Sequence, residues 1–263
     1  MRAKSLLGGA LLAGLMSLST AHANTITLTG TVRDFNSYGT THNGVAGHPD
    51  FESHVSDDRG IVKSTLGADG KPVYNSADYN PTVSSAASFY QWYHDDASVN
   101  RTGSVSINLN QIGPNLYQYS SNAFFPIDNQ LLAQTTMGHN FGFTTEWHTQ
   151  FTYNSAANSN FTFKGDDDVW VFINGKLAID LGGVHGEESA SVDLNSFAAG
   201  AGMNNGGTYR LDIFQAERHT SGSNFTMTTS LALAPSNVPE PATLGLMGLG
   251  LFGLVAARRR RRA

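Results

Sequence analysis

The sequence predicts an all-β domain, an antiparallel β-sandwich, set between an apolar leader and an apolar tail. Three observations predict it. Apolar and polar residues alternate along several short runs, as in strands with one buried face. Few windows repeat with a helical period of 3.6. Gly, Asn, Ser and Thr crowd the connections between the runs, as turn formers do.

Taken in chain order, the leader comes first. Arg2 and Lys4 give a basic start, Leu6 to Leu18 is apolar, and Ala21-His22-Ala23 is a small-x-small cleavage signal. Residues 1–23 therefore read as a signal peptide, and the mature chain should begin at Asn24. Thr25 to Val32 alternates and places Ile26, Leu28 and Val32 on one face. Residues 36–85 show no sustained period and read as irregular. Trp147, Phe151 and Tyr153 share a face, and Trp147 and Trp170 follow core patterns. Val169 to Ile173 is apolar on both faces, which marks a buried central strand. Asn174-Gly175 is a strong two-residue hairpin signal, so Lys176 to Leu181 should return alongside it. Phe225, Met227, Leu231 and Leu233 give the last inward face.

The tail has three parts: Val238-Pro239-Glu240-Pro241, an uncharged apolar run of 16 residues from Ala242 to Ala257, and Arg258 to Arg262. The prolines keep a helix from starting earlier. The apolar run is slightly short for the roughly 17–25 residues of a membrane-crossing helix, and the arginines should stay on the cytoplasmic side. The expected division is thus a signal peptide at 1–23, a β-sandwich domain at 24–235, and a tail with a transmembrane helix at 236–263.

Charge sharpens once the ends are set aside. Seven of the 16 basic residues and one of the 21 acidic residues lie in leader and tail, leaving 9 basic and 20 acidic residues in the domain, a net charge of −11. Such a surface argues against nucleic acid and favours metal ions or neutral partners. There is no cysteine, so disulfides and thiol catalysis are both excluded. No G-x-S-x-G, H-E-x-x-H or P-loop pattern occurs, and the chain is not expected to be an enzyme.

The chemical centre is Phe161-Thr162-Phe163-Lys164-Gly165-Asp166-Asp167-Asp168-Val169-Trp170. Three adjacent carboxylates at the head of a buried strand repel one another and are costly to desolvate. A hard cation relieves both problems, and an all-oxygen ligand set suits calcium. The plainer alternative is a solvated turn.

Two resemblances follow from these residues. The tail, from Val238-Pro239-Glu240-Pro241 to the arginines, resembles the PEP-CTERM sorting segment of exported bacterial proteins. This resemblance implies retention in the inner membrane, processing by an exosortase-type transpeptidase, and a setting in an extracellular polysaccharide matrix. The segment around Asp166 resembles the fibro-slime domain, a branch of the protective-antigen-type (PA14-like) β-sandwich. Leu181-Gly182-Gly183-Val184-His185-Gly186, the run from Asp212 to Thr220, Ser223-Asn224-Phe225, Gly30 to Phe35 and His48 to Glu52 continue the likeness. In lectins of the wider superfamily two adjacent aspartates bind calcium across a cis peptide, and the ion contacts a sugar. The resemblance thus implies Asp166 and Asp167 as metal ligands and calcium as cofactor. Asp168, where the superfamily often has glycine, is either a third ligand or an outward carboxylate. His185 and His219 sit in family-like loops, as ligand contacts or as hydrogen-bonding loop residues. Glu217 is a site carboxylate or the partner of Arg218 or another neighbour. Trp92, beside Tyr93, His94, Asp95 and Asp96, lacks a core pattern and could stack on a sugar. The expected function is calcium-supported glycan binding or adhesion; a glycan-processing hydrolase and a purely structural matrix protein are the alternatives.

Overall fold

The computed structural model describes residues 24–234. The leader and the sorting tail, including Val238, Pro239, Glu240, Pro241 and the apolar run, lie outside the described residues. Among the described residues no helix is long and apolar enough to cross a membrane.

The chain opens with β1 (Thr25–Phe35). Three two-residue strands follow, β2 (Thr41–His42), β3 (Val45–Ala46) and β4 (Ser56–Asp57), and then helix α1 (Ala86–Trp92). The long strands β5 (Asn100–Gly113), β6 (Leu116–Ser121) and β7 (Phe143–Thr152) lead to β8 (Asn160–Gly165), β9 (Asp168–Ile173) and β10 (Lys176–Leu181). After β11 (Gly183–Val184), β12 (Glu188–Asp193) and the single turn α2 (Leu194–Phe197) come β13 (Thr208–Glu217), β14 (Phe225–Thr229) and β15 (Ala232–Leu233).

The sandwich is made by one antiparallel hydrogen-bonded sheet folded over on itself. Its order is β10-β9-β13-β7-β1-β5-β6-β14-β8-β12, with β15 attached to β7. The length of β1 and β5 explains why the expected two layers are continuous. β1 pairs with β5 along its whole length, Thr25 to Phe35, but with β7 only from Thr31 to Asp34. Each long strand therefore bends from one layer into the other and carries the ladder with it.

The inner faces meet in a core that includes Leu28, Val32, Ile107, Leu109, Trp147, Phe151, Phe163, Val169, Val171, Ile173, Leu211, Ile213, Phe225 and Met227. The alternation read from the sequence thus becomes burial, worth about 1.5–3 kcal/mol for each fully buried large apolar side chain. β9 is buried on both sides for a second reason. Trp170 and Phe172 point away from this core into a second one, with Phe214 and Ala216 of β13, and Phe35, Phe51, Phe89 and Trp92. The irregular segment from 36 to 93 is the cover that forms this second core. The Asn174-Gly175 turn has φ of 51° and 74°, the left-handed conformation a tight hairpin of this kind requires, and it sets Lys176 opposite Ile173.

Ion pairs fasten the cover to the sheet. Glu146 of β7 accepts from Arg33 Nη1 at 3.0 Å and from Lys71 Nζ of the cover. Burial pushes the Glu146 carboxyl up, but His148, Lys71 and Arg33 outweigh it and hold it at about 2. Asp34 behaves in the opposite sense. It is fully buried and accepts from Asn140 Nδ2 and Leu132 N, yet burial dominates and raises it to about 6.

Strand direction sorts the loops. Asn24 and Ala234 lie where β1 begins and β7 ends, since Thr25 starts β1 and Leu233 pairs with Phe151. Asp166 to Asp168 and Glu217 lie at the other end, where Ala216 pairs with Asp168 and Glu217 with Phe143.

A carboxyl raised in the folded state stabilises fully below its unfolded value and loses that contribution as pH rises through the folded one. Asp34 should therefore withdraw up to about 3 kcal/mol of stability between about pH 4 and about pH 6. The advantage of wild type over Asp34→Asn in urea unfolding should shrink by that amount across the window. A pH-independent difference would show that Asp34 is not raised.

Candidate functional site

The three aspartates follow the half-buried β8 and lead into the buried β9, and each meets a different partner. Asp168 begins β9 and is fully buried. Its carboxylate takes Arg218 Nε at 2.6 Å and Arg218 Nη2 at 3.1 Å, and Oδ1 also accepts Gly183 N at 2.7 Å. Asp168 is thus neither a ligand contact nor an outward carboxylate, because the pleat turns it under the cover onto a guanidinium.

Arg218 is equally buried. Nη1 donates to the carbonyls of Asp50 and Thr82, at 3.2 and 2.8 Å, and its guanidinium carbon lies 4.5 Å from the centroid of the Trp92 ring. Burial works against the Arg218 charge, but Asp168, Asp167 and Asp50 outweigh it and hold the group above its ordinary value. Trp92 is fully buried as well, and its Nε1 donates to Asp50 Oδ2 at 3.0 Å. The expectation that Trp92 stacks on a sugar fails for a packing reason. Position 92 falls on the inner face of α1 with Phe89, and the ring is spent on the second core and on Arg218.

The Asp166–Asp167 peptide is cis, as the resemblance implies. Asp167 Oδ2 accepts the backbone N–H groups of Arg218 and His219, each at 2.9 Å. Asp166 accepts from Asn224 N and, at 2.8 Å, from Asn224 Nδ2. Both aspartates line a cavity of about 410 Å³, walled by Val184 to Gly186 and by His219 to Gly222. Gly222 packs closely there: a Cβ at that position would sit 2.9 Å from Asp166 Oδ2 and push on that carboxylate.

Glu217, at the end of β13, is close enough to feel the charges of both aspartates. It is fully buried, and neither carboxylate oxygen accepts a hydrogen bond, because the Ser223 hydroxyl nearby donates to Phe124 O at 2.8 Å. Burial, then the charges of Asp167 and Asp166, push it well above the usual carboxylate range. Burial also pushes Asp167 up, and the attraction of Arg218 only partly offsets it. Of the two alternatives read for Glu217, pairing with Arg218 is not observed, because Arg218 turns to Asp168. His185 and His219 both line the cavity. Their rings contact backbone oxygens: His185 Nδ1 and Gly186 O are 2.7 Å apart, and His219 Nδ1 and Thr220 O are 2.6 Å apart.

Among the described residues no three His, Asp or Glu side chains converge as a complete metal cage. What the site offers is two adjacent carboxylates on a cavity close to an unpartnered buried carboxylate. That is three acidic groups whose ionised forms burial disfavours, a set that a hard cation with backbone oxygens completing its shell would hold ionised. The donor chemistry therefore fits the ion. The residues missed by sequence reasoning are Asn224, which holds Asp166, and Arg218 as the partner of Asp168. The available signal was an arginine directly after β13, inside the family-like run from Asp212 to Thr220.

Replacing Arg218 with Met leaves Asp168 buried and unpaired, which should cost about 3–5 kcal/mol in chemical unfolding. The double replacement Arg218→Met/Asp168→Leu should recover a large part of that loss. Equal losses in single and double variants would mean that the pair is not the relevant contact.

Comparison with known proteins agrees with this architecture. The PA14 domain family matches residues 127–243, and the PEP-CTERM protein-sorting motif matches residues 237–261. Among curated proteins, psiQ of Dictyostelium discoideum is 38% identical over 190 residues, covering 66% of this chain and 19% of that protein. The psiD protein of the same organism is 39% identical over 186 residues, covering 65% of this chain and 36% of that protein. The chain thus spans about a fifth to a third of the length of these relatives. Among solved structures, the PA14 domain of the MpAFP antifreeze protein is 13% identical with a TM-score of 0.30, covering 85% of this chain and 89% of that one. The A domain of epithelial adhesin 9 from Candida glabrata, solved with Galb1-4GlcNAc, is 11% identical with a TM-score of 0.30, covering 82% and 93%. The chain thus holds a PA14-like domain match at 127–243 and a PEP-CTERM sorting motif at 237–261.

Proposed function

We propose that this protein is exported, sorted through its PEP-CTERM segment, and binds glycan in an extracellular polysaccharide matrix through calcium held at Asp166 and Asp167. The observation that carries the reading is the pair Asp166 and Asp167 on one cavity, with the buried, charge-coupled Glu217 close behind in the same cluster. Asp166 and Asp167 would hold the ion, with backbone oxygens of the 184–186 and 219–222 loops available to complete its shell. Calcium supplies oxygen coordination that paired sugar hydroxyls can enter. The residues around it do the rest. Arg218 and His219 N–H groups orient Asp167, Asn224 orients Asp166, and the two histidines border the space a ligand would occupy.

Adhesion in the matrix, passage through the inner membrane and an exosortase-type partner belong to this same reading, supported by the sorting motif at 237–261. A hydrolase would need two carboxylates about 5–9.5 Å apart across an open cleft. Here the two on the cavity are neighbours in sequence and the third is buried close behind them, which favours binding over hydrolysis.

Thermal unfolding of the full chain in detergent, with calcium and with chelator, tests the ion. At a hundredfold excess over its dissociation constant calcium should add about 2.7 kcal/mol of apparent stability, and Asp167→Asn should abolish the difference. Equal midpoints in both conditions for wild type would sink the calcium reading. The sorting reading has its own test, replacement of Arg258 to Arg262 with serine. Membrane retention and processing should weaken; unchanged maturation would count against it.

A further inference from the structure

A second pocket lies away from the aspartates, between α1 and the 67–74 loop of the cover. Its volume is about 460 Å³, within the range of small-molecule sites. Pro72, Val73, Tyr74 and Phe89 give it an apolar wall, while Asp69, Tyr90 and His94 give it a polar edge. Tyr90 is 58% exposed, although the neighbouring Phe89 is buried in the second core. Its ring lies parallel to the His94 imidazole, with 3.6 Å between centroids and 11° between planes.

The polar edge is fixed before any ligand arrives. The His94 Nδ1 lies 2.7 Å from Tyr90 O, and its Nε2 lies 3.1 Å from Asp69 Oδ2. Lys71 N donates to the other oxygen, Asp69 Oδ1, at 3.1 Å. Both Asp69 oxygens keep a free lone pair, and the side chain is 51% exposed. An aromatic platform beside an oriented carboxylate matches a molecule with one apolar face and a hydroxylated rim.

We infer that this pocket is a second, calcium-independent glycan site, in which a neutral pyranose lays its C–H face along the Tyr90 side and directs hydroxyls to Asp69. The net charge of −11 on the domain, with Asp69 at the pocket edge, disfavours an anionic sugar. The domain then has two sugar contacts. The Asp166–Asp167 site would need an ion; the Tyr90 site needs none. Two contacts on one domain can bridge two chains of a matrix, or hold one chain with avidity. The inference extends the glycan-binding reading but rests on different residues.

The test is an array of neutral oligosaccharides probed with the full chain in detergent, in calcium and in chelator. Binding that survives chelator is expected. Tyr90→Ala and Asp69→Asn should each weaken it at least about tenfold, while Tyr38→Ala, at an exposed tyrosine outside the pocket, should leave it near wild type. Absence of chelator-resistant binding overturns the inference; calcium-dependent binding lost in Asp167→Asn would at the same time leave the first site standing. Chelator-resistant binding that ignores both Tyr90→Ala and Asp69→Asn also overturns it. A parallel titration with tetramethylammonium covers the remaining chemistry: Tyr90-dependent binding of that cation, with no glycan bound in chelator, makes the pocket a cation site and overturns the proposal.

Discussion

The buried pair of Arg218 and Asp168 is the constraint on which the aspartate end of the molecule depends. Two charges removed from water repay their desolvation only when geometry and further hydrogen bonds are good. Here the guanidinium is satisfied by a carboxylate, two carbonyls and an indole face. Those partners come from β9, the 50 and 82 loops, and α1. One side chain therefore ties the head of a central strand to three parts of the cover. The same residue's backbone N–H aims Asp167, so the framework and the candidate ion site share a single residue.

Charge is distributed unevenly across the run at 166–168. Asp168 is neutralised internally by Arg218, and Asp166 and Asp167 take only neutral donors. Glu217 takes none. Asp166 and Asp167 lie between β8 and β9 and both border the cavity, whereas Asp168, the first residue of β9, turns onto Arg218. A contiguous acidic run thus performs two kinds of work within three residues.

Much of the framework was legible because it depends on local rules. β9 with both faces apolar, the Asn174-Gly175 turn and the alternation around Leu28 and Trp147 all follow from period and turn chemistry. The single folded-over sheet was not legible, since it depends on where β1 leaves β7, a long-range register. Trp92 was misread because the second core that buries it is assembled from the 36–93 segment, which has little period of its own. Asp168 was left open for a related reason: its partner lies fifty residues away, and sequence shows adjacency along the chain, not across a sheet. Tyr90 escaped notice because its value lies in a stack with His94 one helical turn on and a contact with Asp69 from another loop.

The opposed ends of the strands have a consequence for reach. The described chain leaves the sandwich at Ala234, beside the start of β1, whereas the aspartate loops crown the far ends of β9 and β13. A strand of ten residues at about 3.3 Å each spans roughly 30 Å, so the sandwich itself is a spacer of that length. The carboxylate cavity therefore lies about a strand's length from Ala234, where the described chain ends.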